Sequence, residues 1–390
     1  MEQKKIHILF LCSWYPNSEN ATHGIFYKRH AEALSIQHNV TVVYSKSLDS
    51  ISEETISIKQ TGNFKEICLF YPKITNKIIV INNIIKLLKY RSSYNKVFEK
   101  NYLPDEFDII HVNTIFPVGI AALIAIKKWS KAKLFVSEQW SGYYAEDGNY
   151  KGFFRKYITK KIIQKTKAIF VISDKLKYSM MSHGLLGNYE SINNTVDTSI
   201  FKPQDSTFNK NNELQLLHIS SLVNREKNII GIIDIIGELV TKKINVKLTI
   251  IGSNEKEKKV YDQLINEKKL NEFIDFVGYK TPKEITEYMK ISDLFLLFSN
   301  FEGMPNVILE SLACGLPVIS TDVGKVREMI NSNMGIVLKD NTIEECVNFI
   351  SKYRRENFAD KEIMHQYIVS HYSPIAISNQ ITEIYNKYLN

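Results

Sequence analysis

Cysteine is scarce in this chain. Its 390 residues contain four, Cys12, Cys68, Cys314 and Cys346, far apart and without a C-x-x-C pair. That argues against a disulfide framework or zinc cluster and suits a reducing compartment, so a cytoplasmic location is expected. Long apolar runs are also missing. The longest, from Ile115 to Ile126, is 12 residues and includes Pro117, short of the roughly 20 a spanning helix needs. Lys4 and Lys5 precede a first apolar stretch, but Trp14-Tyr15-Pro16 stands where a signal peptide would carry small residues. Residues 6–12 therefore read as a buried strand and not as a leader.

Apolar residues make up 44% of the chain and charged residues 24%, a globular composition that excludes a disordered or fibrous protein. The length exceeds one ordinary core and fits two domains of roughly 150–200 residues each. The net charge of +8 is lopsided: residues 1–200 hold 27 basic and 17 acidic side chains, residues 201–390 hold 23 and 25. Such a split supports two domains with different partners.

The first half alternates short apolar runs (6–12, 40–44, 109–112, 134–137, 168–172) with helical patterns at 24–36 and 118–129. Continuously apolar strands separated by helices predict a parallel sheet covered on both faces. The pattern restarts beyond a polar linker at 204–213, with strands at 214–219, 247–251, 274–277, 294–298 and 317–321 and a helix at 229–241. A last helix, 374–389, opens on Pro374. The fold class expected is α/β, two doubly wound parallel-sheet domains with a ligand cleft at the strands' carboxyl ends.

The most informative stretch is residues 292–317. A buried strand runs out through Ser299 into a loop with Glu302 and Gly303. Pro305 then suits a helix start, and the helix holds Glu310 and stops at Gly315. Such a loop and helix start present free N–H groups and a positive dipole end, which favours phosphate. Two carboxylates beside it suit the vicinal hydroxyls of a sugar or ribose. Standing alone, these glutamates would read as solvated surface acids. The context of strand, Ser, Glu-Gly, Pro and Ala-Cys-Gly-Leu-Pro argues otherwise.

Residues Glu302 to Glu310 resemble the E-x7-E signature of the retaining glycosyltransferases of family 4 (glycosyl transferases group 1), and 313–319 resembles the A-x-G-x-P-V-[IV] run that follows it. Thr321, Asp322, Val323, Gly324 and Glu328 continue the likeness, with Lys325 where a second Gly is usual. Asn194, Val196, Asp197 and Phe201-Lys202-Pro203 resemble the family's domain-boundary motif, with Asn193 and Thr195 departing from it. The resemblance implies a GT-B fold, two Rossmann-like domains facing across a cleft: an acceptor-binding domain at 1–200, a nucleotide-sugar domain at 201–373, and a helix at 374–390 returning to the first domain. It implies ribose binding for Glu310, donor-sugar contact for Glu302 and Ser299, and a diphosphate cap from Gly303, Met304, Pro305, Asn306 and Val307. The family's cation clamp falls on Ser220–Asn228 here. Lys227 is the first choice for the diphosphate and Arg225 a substitute, since guanidinium binds phosphate bidentately; exposed helix-start charges are the alternative. Gly252 and Gly278 would line the base pocket or simply punctuate turns.

In the first domain Gly24 fits the family's glycine at the helix start near the diphosphate. Trp14 and Tyr15 either stack on a sugar face or pack inside. Gln139 stands where many relatives place a His, and a Gln cannot carry a proton as imidazole does. Glu138 is then the nearest ionisable candidate, while His111 reads as a core residue. No D-x-D pair is present to hold a divalent metal, so metal independence is expected, and no cofactor beyond a UDP or GDP sugar as co-substrate. The stretch 150–167 has seven basic residues, no acids and apolar residues at helical spacing. It reads as an amphipathic helix on an anionic membrane or as a core-packed one. No nucleic-acid motif accompanies it. The function expected is a retaining, metal-independent hexosyltransferase acting on a saccharide or polyprenyl-linked acceptor in bacterial cell-surface polysaccharide synthesis. Its location would be cytoplasmic, peripheral on the inner face of the plasma membrane. A sugar-nucleotide epimerase and a non-catalytic saccharide-binding protein are the competing readings.

Overall fold

The computed structural model describes residues 5–75, 79–100, 102–204 and 213–389; most of the expected linker at 204–213 lies outside them. The chain divides into two compact units, Met1–Thr195 with Pro374–Asn390, and Val196–Ser373.

The first unit is built on strands β1 (His7–Cys12), β2 (Asn39–Leu48), β3 (Thr55–Thr61), β4 (Phe64–Pro72), β5 (Ile109–Asn113), β6 (Lys133–Glu138), β7 (Ala168–Val171) and β8 (Tyr189–Ser191). They form one sheet in the order β3-β4-β2-β1-β5-β6-β7-β8. Helices α1 (Ile25–Ser35), α2 (Ile79–Glu99), α3 (Ile115–Lys128), α4 (Phe153–Ile163) and α5 (Asp174–Ser182) connect them. The central strands are buried almost throughout, as apolar runs covered by helices on both faces must be. The expectation of a wholly parallel sheet needs one correction. β3 pairs antiparallel with β4, turning back at Gly62 (φ 57°), and its mostly exposed, polar sequence TISIKQT gives no apolar run to read.

The buried His111 on β5 has both ring nitrogens partnered. His111 bonds Tyr385 Oη at 2.5 Å through Nδ1 and Ser137 Oγ at 2.7 Å through Nε2. Burial lowers its imidazole to about 3, so it is a neutral core residue.

The second unit holds β9 (Leu214–Ile219), β10 (Val246–Ile251), β11 (Ile274–Gly278), β12 (Leu294–Leu297), β13 (Val318–Ser320) and β14 (Gly335–Val337), all parallel, in the order β11-β10-β9-β12-β13-β14. Its helices are α6 (Asn224–Lys227), α7 (Ile229–Thr241), α8 (Glu255–Glu267), α9 (Pro282–Ile291), α10 (Asn306–Ala313), α11 (Val326–Met329), α12 (Ile343–Ser351) and α13 (Lys361–Tyr372). The isoleucine-rich α7 buries seven residues against this sheet. Gly315 (φ 74°) ends the α10 segment where an added Cβ would lie 2.4 Å from Lys361 Cβ, so α13 sits directly against the turn.

The last helix, α14 (Pro374–Leu389), belongs to the first unit and packs along α1. Ile377, Ile381, Ile384 and Tyr385 enter the core around Phe10, Tyr27, Phe135 and Phe170, each burial contributing about 1.5–3 kcal/mol.

Candidate active site

The second sheet reverses strand order between β9 and β12. Loops leaving the carboxyl ends of two such strands diverge and leave a crevice. After β9 come Ser220 and the short helix α6, which Lys227 closes; after β12 come Ser299, Glu302 and the start of α10. Topology thus brings together two segments 75 residues apart.

Lys227 and Glu302 form a two-pronged ion pair, Nζ lying 2.7 Å from Oε1 and 2.9 Å from Oε2. Their side chains are only 18% and 8% exposed, so the pair is shielded from solvent and held in one geometry. Ser299 Oγ donates to Glu302 Oε1 at 2.8 Å, and Thr321 Oγ1 donates to the Ser299 carbonyl at 2.7 Å. The backbone amides of Asn300 and Phe301 donate to the Glu226 carbonyl at 2.8 and 3.3 Å, and Asn300 Nδ2 donates to the Arg225 carbonyl at 3.2 Å. These bonds lace the β9 and β12 loops into one rim. Arg225's side chain is exposed and takes no part in the Lys227–Glu302 pair.

The loop from Gly303 leads into α10 through buried Met304 and Pro305, with Asn306 and Val307 half-buried. Lys325 N donates to the Gly303 carbonyl at 2.9 Å. Gly324 has φ 58°, and a Cβ there would meet the Gly303 and Glu302 carbonyls at 2.3 and 2.4 Å. One glycine therefore suffices for the close approach, and the neighbouring position accepts Lys325, whose buried side chain reaches Glu328 at 3.6 Å. The first amides of α10 have no partner within the helix by construction and carry the positive end of its dipole. Glu310, one turn in, is 9% exposed. Burial, and after it the Glu310 charge, pushes the Cys314 thiol up to about 12.

Gly252 and Gly278 lie side by side, Gly252 N donating to the Gly278 carbonyl at 3.0 Å. At Gly252 (φ 152°) a Cβ would sit 2.2 Å from the Ser220 carbonyl, so glycine is required by the β9 loop; around Gly278 the space is open. Ser220, at the start of the expected clamp segment, is used by the loop: its hydroxyl accepts from Leu222 N at 3.1 Å and meets His218 Nε2 at 2.8 Å. His218, not singled out from the sequence, is fully buried with Nδ1 on the Leu296 carbonyl at 2.8 Å. Burial lowers it to about 4, and the Lys227 charge adds to that. It is a neutral brace beneath the crevice. A lone His on a strand gave no signal for this role, and Thr321 gave none for bracing Ser299.

The first-unit candidates are placed differently. Gly24 (φ 67°) begins α1, and a Cβ there would lie 2.5 Å from the Trp14 carbonyl group. Trp14 packs half-buried against His23 and Phe26. Tyr15 is 1% exposed; its hydroxyl donates to Glu66, which Lys28 also contacts at 3.1 Å. Tyr15 is therefore a packed residue and not a sugar platform. Gln139 Nε2 donates to Asn194 Oδ1 at 3.1 Å. Glu138, the ionisable candidate, needs a correction: it is wholly buried. Its carboxylate accepts from Ile115 N at 3.0 Å and from Gln139 N, Trp140 N and Tyr143 Oη at 3.1 Å each. Burial outweighs those bonds and raises it to about 7. Its role is to tie the start of α3 to the β6 loop.

The basic stretch is divided. Ile158, Ile162 and Ile163 of α4 are buried, and an added Cβ on Gly119 of α3 would meet Ile158 at 2.9 Å. The apolar stripe thus packs on α3. Phe153, Phe154 and Tyr157 are 85%, 42% and 48% exposed.

Among the described residues no helix is long and apolar enough to cross a membrane. Residues 201–369 match the model for glycosyl transferases group 1, and residues 24–200 match that for glycosyltransferase family 4. The amylovoran biosynthesis glycosyltransferase AmsK of Erwinia amylovora is 34% identical over 92 residues, 22% of each chain. The first such relatives are matched over 20 to 40% of their own length. Sucrose-phosphate synthase of Thermosynechococcus elongatus superposes with a TM-score of 0.73 at 16% identity, covering 98% of both chains. HepE of Anabaena in complex with UDP-glucose superposes at 0.67 and 16%, covering 98% of this chain and 100% of that one. Both solved structures share the paired parallel-sheet architecture of the GT-B fold. With both halves matched and the fold agreeing, the chain belongs to the glycosyltransferases of group 1 and family 4.

Proposed function

We propose that this protein transfers a hexose-type sugar from a nucleotide-diphosphate donor to a hydroxyl of a saccharide or polyprenyl-linked acceptor, with retention of anomeric configuration. The observation that carries the reading is the shielded Lys227–Glu302 pair on the crevice where the second sheet reverses. HepE's complex with UDP-glucose supports a sugar nucleotide as the donor class, and AmsK's name supports polysaccharide synthesis as the setting.

On this reading Lys227 turns from Glu302 to the diphosphate when donor binds, and the α10 amides cap the same phosphates. Glu302 is left to accept hydrogen bonds from the sugar hydroxyls, oriented by Ser299. Glu310 accepts from the ribose. As the sugar–oxygen bond to phosphate breaks, charge grows on the leaving diphosphate. Lys227 and the fixed N–H dipoles offset it without reorganising. The acceptor hydroxyl oxygen bonds the same carbon from the face the diphosphate leaves, and its proton passes to the departing diphosphate oxygen on that face. These groups supply the charge stabilisation without a divalent metal.

Thermal-shift screening of UDP, GDP and ADP with their sugar conjugates tests the donor class, since a ligand of the folded state stabilises it by mass action. One nucleotide family raising the melting temperature, followed by release of that diphosphate only with an acceptor present, is the expected result. Conversion of the sugar nucleotide without acceptor would make the protein an epimerase. Saccharide binding without diphosphate release would make it non-catalytic.

A further inference from the structure

The carboxyl edge of β5 and β6 carries a second built surface. Phe116 follows β5 and Trp140 follows β6, and the Arg155 guanidinium lies between their rings, 5.2 Å from the Phe116 centroid and 4.7 Å from that of Trp140. One of its nitrogens donates to the Asn149 carbonyl at 2.7 Å. No carboxylate is paired with it among the described residues. The indole is set close to the backbone: an added Cβ on Gly142 would fall 2.1 Å from Trp140 Cζ2. Stacking of this kind fixes the plane of a guanidinium and leaves its other N–H groups facing out.

Alongside lies an apolar strip that nothing in this unit covers. Phe154 meets the Phe116 ring edge-on at 6.3 Å, and Phe153 stacks on Tyr157 at 6.4 Å. Lys151 and Lys156 flank it in sequence and Lys160 and Lys161 follow a turn further along α4, all exposed, with no carboxylate partner among the described residues; Lys165 and Lys167 lie beyond the far end of the helix. The nearest preceding acids are already engaged, Glu146 with Lys175 at 3.2 Å and Asp147 with Ser141. A surface with one oriented guanidinium, three exposed aromatic rings and flanking lysines is complementary to an anionic phosphate on an apolar chain.

We infer that this face docks on an anionic bilayer, Arg155 taking a lipid phosphate while Phe153, Phe154 and Tyr157 enter the acyl boundary. The helix axis does not lie flat on the membrane, because its Ile158–Ile162–Ile163 stripe is used inside the protein; only the stretch from Phe153 to Tyr157 enters. Resting on the glycosyl-transfer reading above, this identifies the acceptor class as a lipid-carried saccharide, brought to the enzyme in the membrane plane.

The test is flotation of the full-length protein with phosphatidylcholine vesicles, with and without phosphatidylglycerol. Wild type is expected to float only with the anionic vesicles. The Phe153→Ser/Phe154→Ser double variant is expected to lose about tenfold or more of that binding. Arg155→Gln is expected to lose about fivefold, the effect of one basic group near an anionic surface. Both variants should keep the wild-type melting temperature and nucleotide-induced shift, which separates failure of this inference from failure of the donor site. Equal binding to neutral vesicles, no flotation, or wild-type flotation by the double variant would overturn it. So would complete competition by inorganic phosphate, which would mark a site for soluble anions.

Discussion

Removing one partner of the Lys227–Glu302 pair tests the donor site most directly. Lys227→Met deletes the ammonium, keeps most of the side chain's length, and leaves Glu302, 8% exposed, with Ser299 Oγ at 2.8 Å as its remaining partner among the described residues. An under-satisfied, nearly buried carboxylate costs about 1–3 kcal/mol, so the second unit should melt several degrees lower. The same variant loses one charge-assisted contact to the diphosphate, about 1.5–3 kcal/mol, or roughly 10- to 150-fold in nucleoside-diphosphate affinity. Glu302→Gln acts in the opposite sense on binding. It frees the ammonium by removing the negative charge 2.7–2.9 Å from it. Diphosphate affinity should hold or tighten while turnover falls about 100-fold. Isothermal titration with the nucleoside diphosphate and initial-rate assays with its sugar conjugate read both effects. If Lys227→Met binds the diphosphate within twofold of wild type, the ion pair is structural and the proposed site is wrong. Matching losses of affinity in both variants would refute the exchange of partners.

Glu310→Ala should weaken nucleoside diphosphate binding about 10-fold, one hydrogen bond to a charged group, and affect the sugar-free nucleotide as much as the donor; comparing titrations with both checks this. Gly324→Ala places a Cβ 2.3 Å from the Gly303 carbonyl at positive φ, so donor KM should rise with little change in the first unit's stability, read by kinetics and hydrogen exchange. Glu138 gives a pH signature. Its folded value of about 7 lies above the ordinary 4.5, so the folded state binds that proton more tightly. The associated stability is full below about 4.5 and lost as pH rises to about 7, on the order of 3 kcal/mol. Buried His30, His111 and His218 are lowered by burial and act in the opposite direction, losing stability as pH falls below about 6.5. The difference between wild type and Glu138→Gln in urea unfolding across pH 4 to 8 cancels them. A difference independent of pH would show that Glu138 stays ionised. Transfer activity should persist in excess EDTA, assayed by diphosphate release, since Lys227 and the helix amides are proposed to carry the charge.

The sequence by itself determined the two α/β halves, because strands covered on both faces must be mainly apolar, and β1, β5, β9 and β12 are, with His111 and His218 as buried, paired exceptions. It also determined the loop from Ser299 to Glu310, where Gly303, Pro305 and Gly315 punctuate a strand-to-helix turn locally. Edge elements escaped it: β3 is exposed and polar, so burial leaves no imprint on its residues. Partnerships across long separations escaped it too. That Lys227 meets Glu302, that His218 braces Ser220, and that Tyr15 and Glu138 are consumed inside the first unit all follow from strand order and packing, which local propensity does not encode. The stretch 150–167 shows the division most plainly. Its charge and periodicity fixed a basic amphipathic helix, but two surfaces competed for its apolar residues. Only the packing of α4 on α3 decided that the isoleucines go to the core and leave Phe153, Phe154 and Tyr157 outside.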